Sequence, residues 1–168
     1  AILQRRDIRS QFKPDPIPED VLSRILQAAH HAPSVGFMQP WDFLFVRDPL
    51  VREKVRNAYL RARVREEAAL PEEGRPLYGQ LKLEGILESP LNLCVTCERD
   101  RFGKEGIGRT AQPQMPLYSV VCAVQNLWLA ARAEGIGVGW VSIVRPSELK
   151  EILSIPDRIE IVAYLCLG

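Results

Sequence analysis

The stretch that decides the fold covers residues 118 to 143 and reads YSVVCAVQNLWLAARAEGIGVGWVSI. Between Leu117 and Arg132 there is no charged residue, and apolar side chains fall on nearly every face of a 3.6-residue repeat. This pattern predicts a central helix that is buried on every side. Gly135 is placed to end the helix, since glycine favours the left-handed C-terminal cap. The apolar run at 137–144 then predicts a strand.

Hydrophobic periodicity and turn residues predict the other elements on either side of this stretch. The predicted helices cover about 18–31, 49–70 and 146–153, with one more short helix after a loop at 71–79. The predicted strands cover 41–46, 91–97 and 159–167. No repeat or low-complexity segment is present, so the pattern predicts one α+β domain over residues 1–168.

Composition excludes several functional classes. The formal net charge of +1 provides no overall field that would steer the molecule onto nucleic acid. No apolar run is long enough to span a bilayer and none resembles a signal peptide, so we expect a cytoplasmic location. The sequence starts without methionine and stops after a strand-like run at Gly168, and we expect further terminal residues.

The few cysteines and histidines do not indicate a metal site. Cys94 and Cys97 form a C-x-x-C within a predicted strand, where this spacing sends the two side chains to opposite faces. We interpret them as buried thiols. His30 and His31 are adjacent, so they cannot share one helix face.

A polar loop rich in glycine and proline follows the strand at 91–97. Its residues from about 101 to 115 are predicted to form a lid, because a loop of this length in a compact domain is usually functional. Within it, GKEGIGRT at 103–110 nearly matches a P-loop, but two prolines follow and prevent an immediate helix. GIGVG at 135–139 has the wrong spacing for a dinucleotide fingerprint and follows a helix.

The cluster RRDIR at residues 5–9 concentrates three arginines around one aspartate. On a helical turn Arg5 and Arg9 would lie on one face, where both guanidinium groups could reach a single phosphate. The alternative is a solvated basic N-terminus in which Asp7 merely pairs with a neighbour. Composition alone favours this alternative.

Three motifs change that balance, because together they resemble the nitroreductase-like flavoprotein superfamily. They are RRDIRSQF at 5–12, AAHHAPSVGFMQPWDFLFV at 28–46 and EGIGVGWVSI at 134–143. The superfamily carries R-R-S-x-R and P-S-x-x-N-x-Q-P-W in the first two. Here Asp7 replaces the usual serine and Phe37 the usual asparagine. With the block at 118–143, these departures resemble one branch, the 5,6-dimethylbenzimidazole synthases.

The resemblance implies a nitroreductase-like fold, with a mainly antiparallel sheet flanked by helices, and a homodimer with FMN at its interface. It implies that the helix at 117–133 forms the dimer core. It also implies oxygen-dependent fragmentation of reduced FMN to 5,6-dimethylbenzimidazole and erythrose 4-phosphate, with a separate flavin reductase supplying reduced FMN. The alternatives are a conventional NAD(P)H-dependent nitroreductase and a flavin carrier without turnover.

The resemblance also implies roles for individual residues. Asp7 would move protons at C1′ of the ribityl chain, and Ser142 would lie near flavin N5. The alternative for Ser142 is a strand hydroxyl bonded to a neighbouring carbonyl. The implied FMN-binding residues are Arg5, Arg6, Arg9, Ser34, Val35, Gly36, Met38, Lys82 and Val141, with Lys82 contributed by the second subunit.

Overall fold

A four-stranded antiparallel sheet lies at the centre of the protein, in a computed structural model that describes residues 1–168. The strands are β1 (Trp41–Val46), β2 (Leu91–Cys97), β3 (Val138–Trp140) and β4 (Glu160–Leu167), in the order β1-β2-β4-β3. Three strand predictions are confirmed almost residue for residue. The strand predicted over 137–144 is shorter, because only three of its residues pair with β4 as a ladder.

Five helices cover the two faces of the sheet. They are α1 (Glu19–His30), α2 (Pro49–Ala69), α3 (Arg75–Gln80), α4 (Met115–Ala133) and α5 (Pro146–Leu153). The helices α1 and α4 pack on one face, and α2 and α5 pack on the other. This architecture confirms the predicted α+β class. None of the helices combines the length and the apolar character that crossing a membrane requires.

The short helix α3 lies where the sequence predicts a loop. Residues 71–79 contain a 3-10 turn (Glu72–Gly74) and most of α3, and the chain is irregular from 81 to 90. Pro76 lies in the first turn of α3, where its missing N–H costs nothing and its fixed φ suits a helix. The proline that indicated a loop therefore marks a helix start.

The helix α4 runs through the core as predicted, but it is not buried on every side. Its inner face is fully covered, with Val120 and Leu127 at 0% exposure. On the opposite face Tyr118 is 53% exposed and Val121 43%. The exposed residues in the middle of this face are Tyr118, Val121, Cys122 and Gln125. An apolar stripe of this kind is typical of an interaction surface.

The end of α4 is as predicted. Gly135 takes a positive φ of 79° and its N–H donates to the carbonyl oxygen of Arg132. The N–H of Ile136 donates to the carbonyl oxygen of Ala131, 2.8 Å away. These two bonds form a Schellman cap, which satisfies carbonyl groups that the helix leaves free and turns the chain into β3.

The N-terminal segment, residues 5–9, docks on the free edge of β3. The N–H of Ile8 donates to the carbonyl oxygen of Val138, 3.0 Å away, and Asp7 forms a parallel bridge with Val138. This contact pairs backbone groups that the edge strand would otherwise leave open.

The prediction that Arg5 and Arg9 share a face of a helical turn is therefore wrong. The backbone at Arg5 is extended, with φ −64° and ψ 134°. The N–H of Ile8, which a helical turn would use within the segment, is instead bonded to β3. The guanidinium of Arg9 pairs with Asp7, whereas those of Arg5 and Arg6 line a cavity.

The absence of a side chain at Gly139 permits this docking. A Cβ atom there would overlap the carbonyl oxygen of Ile8 and would lie 3.5 Å from Oδ1 of Asp7. Backbone, unlike the end of a flexible side chain, cannot move away alone. Residue 139 must therefore be glycine for the N-terminal segment to reach β3.

The variant Gly139→Ala is expected to push the N-terminal segment off β3. The free energy of unfolding should fall by about 1–3 kcal/mol, the usual cost of overpacking. Gly74→Ala is the matched control, because a Cβ at Gly74 meets nothing within 4 Å. Urea unfolding followed by circular dichroism measures both variants, and equal stability of the two would contradict the steric argument.

Candidate functional site

The carboxylate of Asp7 lies at the edge of the sheet beside Trp140. Its Oδ1 atom accepts a hydrogen bond from the backbone N–H of Trp140, 3.1 Å away, and its Oδ2 atom pairs with the guanidinium of Arg9. The side chains of Asp7 and Arg9 are each 30% exposed. Each carboxylate oxygen carries two lone pairs, so the group is oriented by two contacts and can still accept a proton.

Arg5 and Arg6 take different positions from Arg9. The guanidinium of Arg5 lies 4.8 Å from the centroid of the Trp128 ring, a cation–π arrangement. The guanidinium of Arg6 donates to the carbonyl oxygens of Leu3, at 3.1 Å, and Arg5, at 2.7 Å. A guanidinium has five N–H donors, so both arginines keep donors for a ligand.

A cavity of about 600 Å³ opens beside Arg5 and Arg6. Lys13 and Arg132 add two cations to its wall, and Asp15 is the single acidic residue there. The volume is within the range of small-molecule sites. A wall with four cations is suited to a phosphate group.

Lys13, Trp128 and Arg132 were not predicted from the sequence to belong to a site. Arg132 is the first charged residue after the long uncharged run of α4, and this signal was visible in the sequence. Only the fold shows that Arg132 lines the same cavity as Arg5, because the two are brought together by the docking of the N-terminal segment.

Ser142 is exposed, and its hydroxyl makes no hydrogen bond within the chain. The alternative in which it bonds a neighbouring carbonyl is therefore not observed. Ser142 follows Trp140, whose N–H contacts Asp7, by two residues, at most about 7 Å of chain. Val141 is buried at 4% exposure, and its N–H donates to the carbonyl oxygen of Tyr164.

The loop of residues 34–38 is held in an unusual backbone conformation. Gly36 and Phe37 have positive φ values of 55° and 52°, a region that non-glycine residues rarely occupy. The hydroxyl of Ser34 accepts a hydrogen bond from the N–H of Gln39, 3.0 Å away. Met38 is buried at 3% exposure. These side chains build the turn, and the backbone near Gly36 remains exposed.

This loop and the arginine cluster lie at different ends of α4. The N–H of Val35 donates to the hydroxyl of Ser119 in the first turns of α4, whereas Arg5 lies on Trp128 nine residues further along. Nine helical residues span about 14 Å. One chain therefore does not bring the loop 34–38 next to the arginine cluster.

The loop predicted to be a lid is irregular and is tied together by Arg109. The guanidinium of Arg109 donates to the carbonyl oxygens of Gly103 and Glu105, each 2.7 Å away. A Cβ at Gly108 would lie 2.9 Å from Cγ2 of Val35, so this loop lies against residues 34–38. Its strongly exposed apolar side chains are Phe102 and Ile107.

Lys82 is held by two carboxylates of its own chain. Its Nζ atom donates to Glu84, 3.3 Å away, and to Glu88. Burial opposes the charged form, but these two carboxylates raise the pKa of Lys82 above its ordinary value. A Cβ at Gly85 would lie 3.0 Å from the carbonyl oxygen of Arg9, so this stretch packs on the N-terminal segment of the same chain.

Cys94 and Cys97 face opposite sides of β2, as predicted. Cys94 packs against α2 and α5, whereas Cys97 packs against α1 and α4. Burial raises the pKa of Cys94 to about 12 and that of Cys97 to about 11, so both are protonated thiols near neutral pH. No group of three or more His, Cys, Asp or Glu side chains is arranged to hold a metal ion.

Comparison with known proteins identifies the family of this chain. The sequence profile of the Nitroreductase family matches residues 2–168. The chain belongs to the nitroreductase family. The resemblance inferred from the N-terminal arginines and from the block at 118–143 is thereby confirmed at the level of the family.

Three proteins that are similar to this chain carry the name 5,6-dimethylbenzimidazole synthase. The protein of Rhodospirillum rubrum is 44% identical over 164 residues, which cover 98% of this chain and 77% of that protein. The protein of Rhodobacter capsulatus is 40% identical over 164 residues, which cover 98% of this chain and 79% of that protein. The predicted resemblance to this branch of the nitroreductase family is confirmed.

A solved structure shows the same nitroreductase fold. Oxidised iodotyrosine deiodinase bound to FMN and 3-iodo-L-tyrosine matches with a TM-score of 0.81 at 22% identity. The match covers 99% of this chain and 86% of that chain. At this level of identity the likeness shows the fold alone.

Proposed function

We propose that this chain catalyses the oxygen-dependent fragmentation of reduced FMN to 5,6-dimethylbenzimidazole, the lower ligand of vitamin B12, and erythrose 4-phosphate. The observation that carries the proposal is the carboxylate of Asp7, which the N–H of Trp140 orients at the edge of β3, two residues before the exposed Ser142. Its position corresponds to the serine of the superfamily motif. The similarity to two synthases over 98% of the chain supports the proposal.

The cavity beside Arg5 and Arg6 is the proposed site for the phosphate end of FMN. Guanidinium groups bind phosphate oxygens through short, charge-assisted hydrogen bonds. Lys13 and Arg132 add positive charge on the same wall. The donor chemistry and the volume of about 600 Å³ both fit this end of the molecule.

Asp7 is proposed to take up a proton at C1′ of the ribityl chain. Reduced FMN supplies the electrons for O2 and the carbon skeleton of the product, and a separate flavin reductase would supply it. A base acts only within hydrogen-bond reach of the proton, so its orientation matters. Trp140 and Arg9 provide that orientation, because each contacts one oxygen of the carboxylate.

Ser142 is proposed to contact the flavin ring near N5. Its hydroxyl is exposed and makes no hydrogen bond within the chain, so it can donate to a ring atom without breaking an existing bond. The predicted lid at about 101–115 would limit access of water to the ring through its exposed side chains Phe102 and Ile107.

The complete site is proposed to form in a homodimer, with FMN between the subunits. Two features support this arrangement: the exposed apolar stripe of α4, and the separation of loop 34–38 from the arginine cluster along that helix. When two copies of α4 pack antiparallel about a two-fold axis, the Ser119 end of one lies near the Trp128 end of the other. Loop 34–38 could then reach the partner's flavin, whereas the stretch that carries Lys82 lies against the N-terminal segment of its own chain.

The decisive experiment is a single turnover in the presence of air. The protein is loaded with FMN and reduced without oxygen, air is admitted, and the products are separated by liquid chromatography with mass spectrometry. We expect 5,6-dimethylbenzimidazole to form as FMN is consumed. Recovery of intact FMN from folded, FMN-binding protein would overturn the proposal, and rapid NADPH oxidation with a nitroaromatic would then indicate a conventional nitroreductase.

The variant Asp7→Asn should retain FMN binding, but the rate of product formation should fall by about 100- to 10,000-fold, which is the usual contribution of a general base. The amide side chain keeps the shape of the carboxylate, and its oxygen can still accept from the Trp140 N–H. Asp7→Ser restores the residue of the superfamily motif and should return FMN intact. The same single-turnover assay tests both variants, and wild-type product yield from Asp7→Asn would refute the assigned role.

The variant Ser142→Gly should slow flavin breakdown or divert oxygen to hydrogen peroxide. Ser142→Ala is the companion variant, because it removes the hydroxyl without adding backbone freedom. Stopped-flow absorbance of the reduced, FMN-loaded protein after mixing with oxygen provides the measurement. Oxidation kinetics and product yields equal to those of the wild type would exclude a role for the hydroxyl.

The thiol of Cys122 reports on the proposed dimer. Cys94, Cys97 and Cys166 are buried and Cys122 is exposed on the stripe of α4. A dimer through α4 should cover Cys122, so that the native protein has no fast-reacting thiol. Val121→Glu should disrupt the dimer and make the Cys122 thiol accessible to the reagent. Thiol titration combined with sedimentation tests this, and a monomeric wild type with a reactive Cys122 would contradict the arrangement.

A further inference from the structure

The guanidinium of Arg5 has no charged partner within the chain. Arg5 is half-buried, yet its guanidinium forms neither a salt bridge nor a hydrogen bond with another group of the protein. It lies instead against the ring of Trp128, whose centroid is 4.8 Å from the guanidinium carbon. Contact with a ring leaves the five N–H donors of the guanidinium free for a ligand.

Electrostatic repulsion opposes this position of Arg5. The cavity wall carries three further cations and one acidic residue, which are Arg6, Lys13, Arg132 and Asp15. Like charges around one cavity repel each other, and an arginine side chain has enough rotamer freedom to turn away into water. Some group must therefore hold the Arg5 guanidinium at the wall, and the ring of Trp128 is in contact with it.

The ring of Trp128 is itself supported by two regular elements. Trp128 lies in the last turns of α4, and its ring packs against that of Trp140 at the end of β3, with the centroids 6.3 Å apart. Trp140 is also the residue whose N–H orients the carboxylate of Asp7. The same ring therefore contacts both Arg5 and the strand residue that orients the proposed base.

The indole N–H of Trp128 is buried and has no hydrogen-bond partner. A buried donor without a partner costs free energy, so hydrogen bonding does not explain the orientation of this ring. The ring does have the Arg5 cation against it, and tryptophan is the aromatic residue that attracts a cation most strongly. The contact with the cation, and not the N–H group, accounts for the position of the ring.

We infer that Trp128 is a positioning residue whose ring holds the Arg5 guanidinium at the cavity wall, ready to bind the phosphate group of FMN. This inference rests on the proposed function for the assignment of the phosphate to the cavity. Trp128 acts through Arg5 and does not itself bind the phosphate. Its contribution is preorganisation, because it lowers the entropy cost of fixing a flexible arginine on the ligand.

The first test compares FMN with riboflavin, which has the same ring and ribityl chain but no phosphate. Trp128→Leu removes the aromatic ring and should weaken FMN binding by about 3- to 30-fold, the range of a cation–π contact. The affinity for riboflavin should change by less than about twofold. Arg5→Met should show the same selectivity for FMN with a larger loss, about 10- to 100-fold. Quenching of flavin fluorescence measures each dissociation constant.

Two further variants complete this comparison. Trp128→Phe keeps an aromatic ring and lacks the N–H group, so it should recover most of the affinity for FMN. Phe45→Leu is the matched control, because the ring of Phe45 carries the Arg47 guanidinium at 5.3 Å on β1, the opposite edge of the sheet from β3. It removes a cation–π contact outside the cavity and should leave the affinities for both flavins unchanged.

A double-mutant cycle on FMN affinity tests whether Trp128 acts through Arg5, and it does not require riboflavin to bind. The wild type, Trp128→Leu, Arg5→Met and the double variant are compared. A ring that only positions Arg5 has no further effect once Arg5 is removed. The double variant should therefore bind FMN as weakly as Arg5→Met, within about twofold. A ring with a merely structural role would lower the affinity by the same factor in both backgrounds.

The outcomes separate this inference from the proposed function. A wild type that forms no 5,6-dimethylbenzimidazole refutes the proposed function, while the affinity measurements still decide the role of Trp128. An FMN affinity that is unchanged in Trp128→Leu, or lowered equally with that for riboflavin, would overturn the inference. Independent effects in the cycle, or a Trp128→Phe variant as weak as Trp128→Leu, would also overturn it. Unchanged FMN affinity in Arg5→Met would refute the phosphate site in the cavity and the inference with it.

Discussion

The candidate site depends on the docking of the N-terminal segment against the edge of β3. One backbone hydrogen bond from Ile8 and one carboxylate bond from Asp7 hold the two together. The backbone bond is worth about 0.5–1.5 kcal/mol net and the bond to the carboxylate about 1.5–3 kcal/mol. The contact joins positions 133 residues apart along the chain, and it is possible because Gly139 has no side chain. The position of the carboxylate proposed to act as a base thus depends on two hydrogen bonds and one glycine.

The helix α4 imposes the second constraint. It anchors loop 34–38 through Ser119 near its start and supports Arg5 through Trp128 near its end. A rigid helix keeps these two regions about 14 Å apart along its axis. The same helix leaves an apolar stripe exposed. The proposed homodimer accounts for both features at once, since it covers the stripe and brings complementary halves of the site together.

Errors of the sequence-based predictions have identifiable causes. Pro76 indicated a loop, but proline also starts helices, and the local sequence does not separate the two uses. The segment RRDIR has a spacing that suits a helical turn, yet the open edge of β3 captures its backbone. The stripe on α4 was predicted to be buried because its residues are apolar. Apolar character does not indicate whether the same chain or a second copy covers these residues.

The sequence by itself determined the elements whose pattern is local: three strands, the helices α1, α2, α4 and α5, and the stop at Gly135. It also determined the family, because the motifs that carry the resemblance are short and lie in a fixed order. Only the tertiary structure decided that Asp7 lies beside Trp140, that Arg132 faces the same cavity as Arg5, and that Arg9 is paired with Asp7. The physical reason is that the first two contacts join distant positions, and the third forms in a segment whose backbone is bonded to β3 at Ile8. Local propensity encodes none of these.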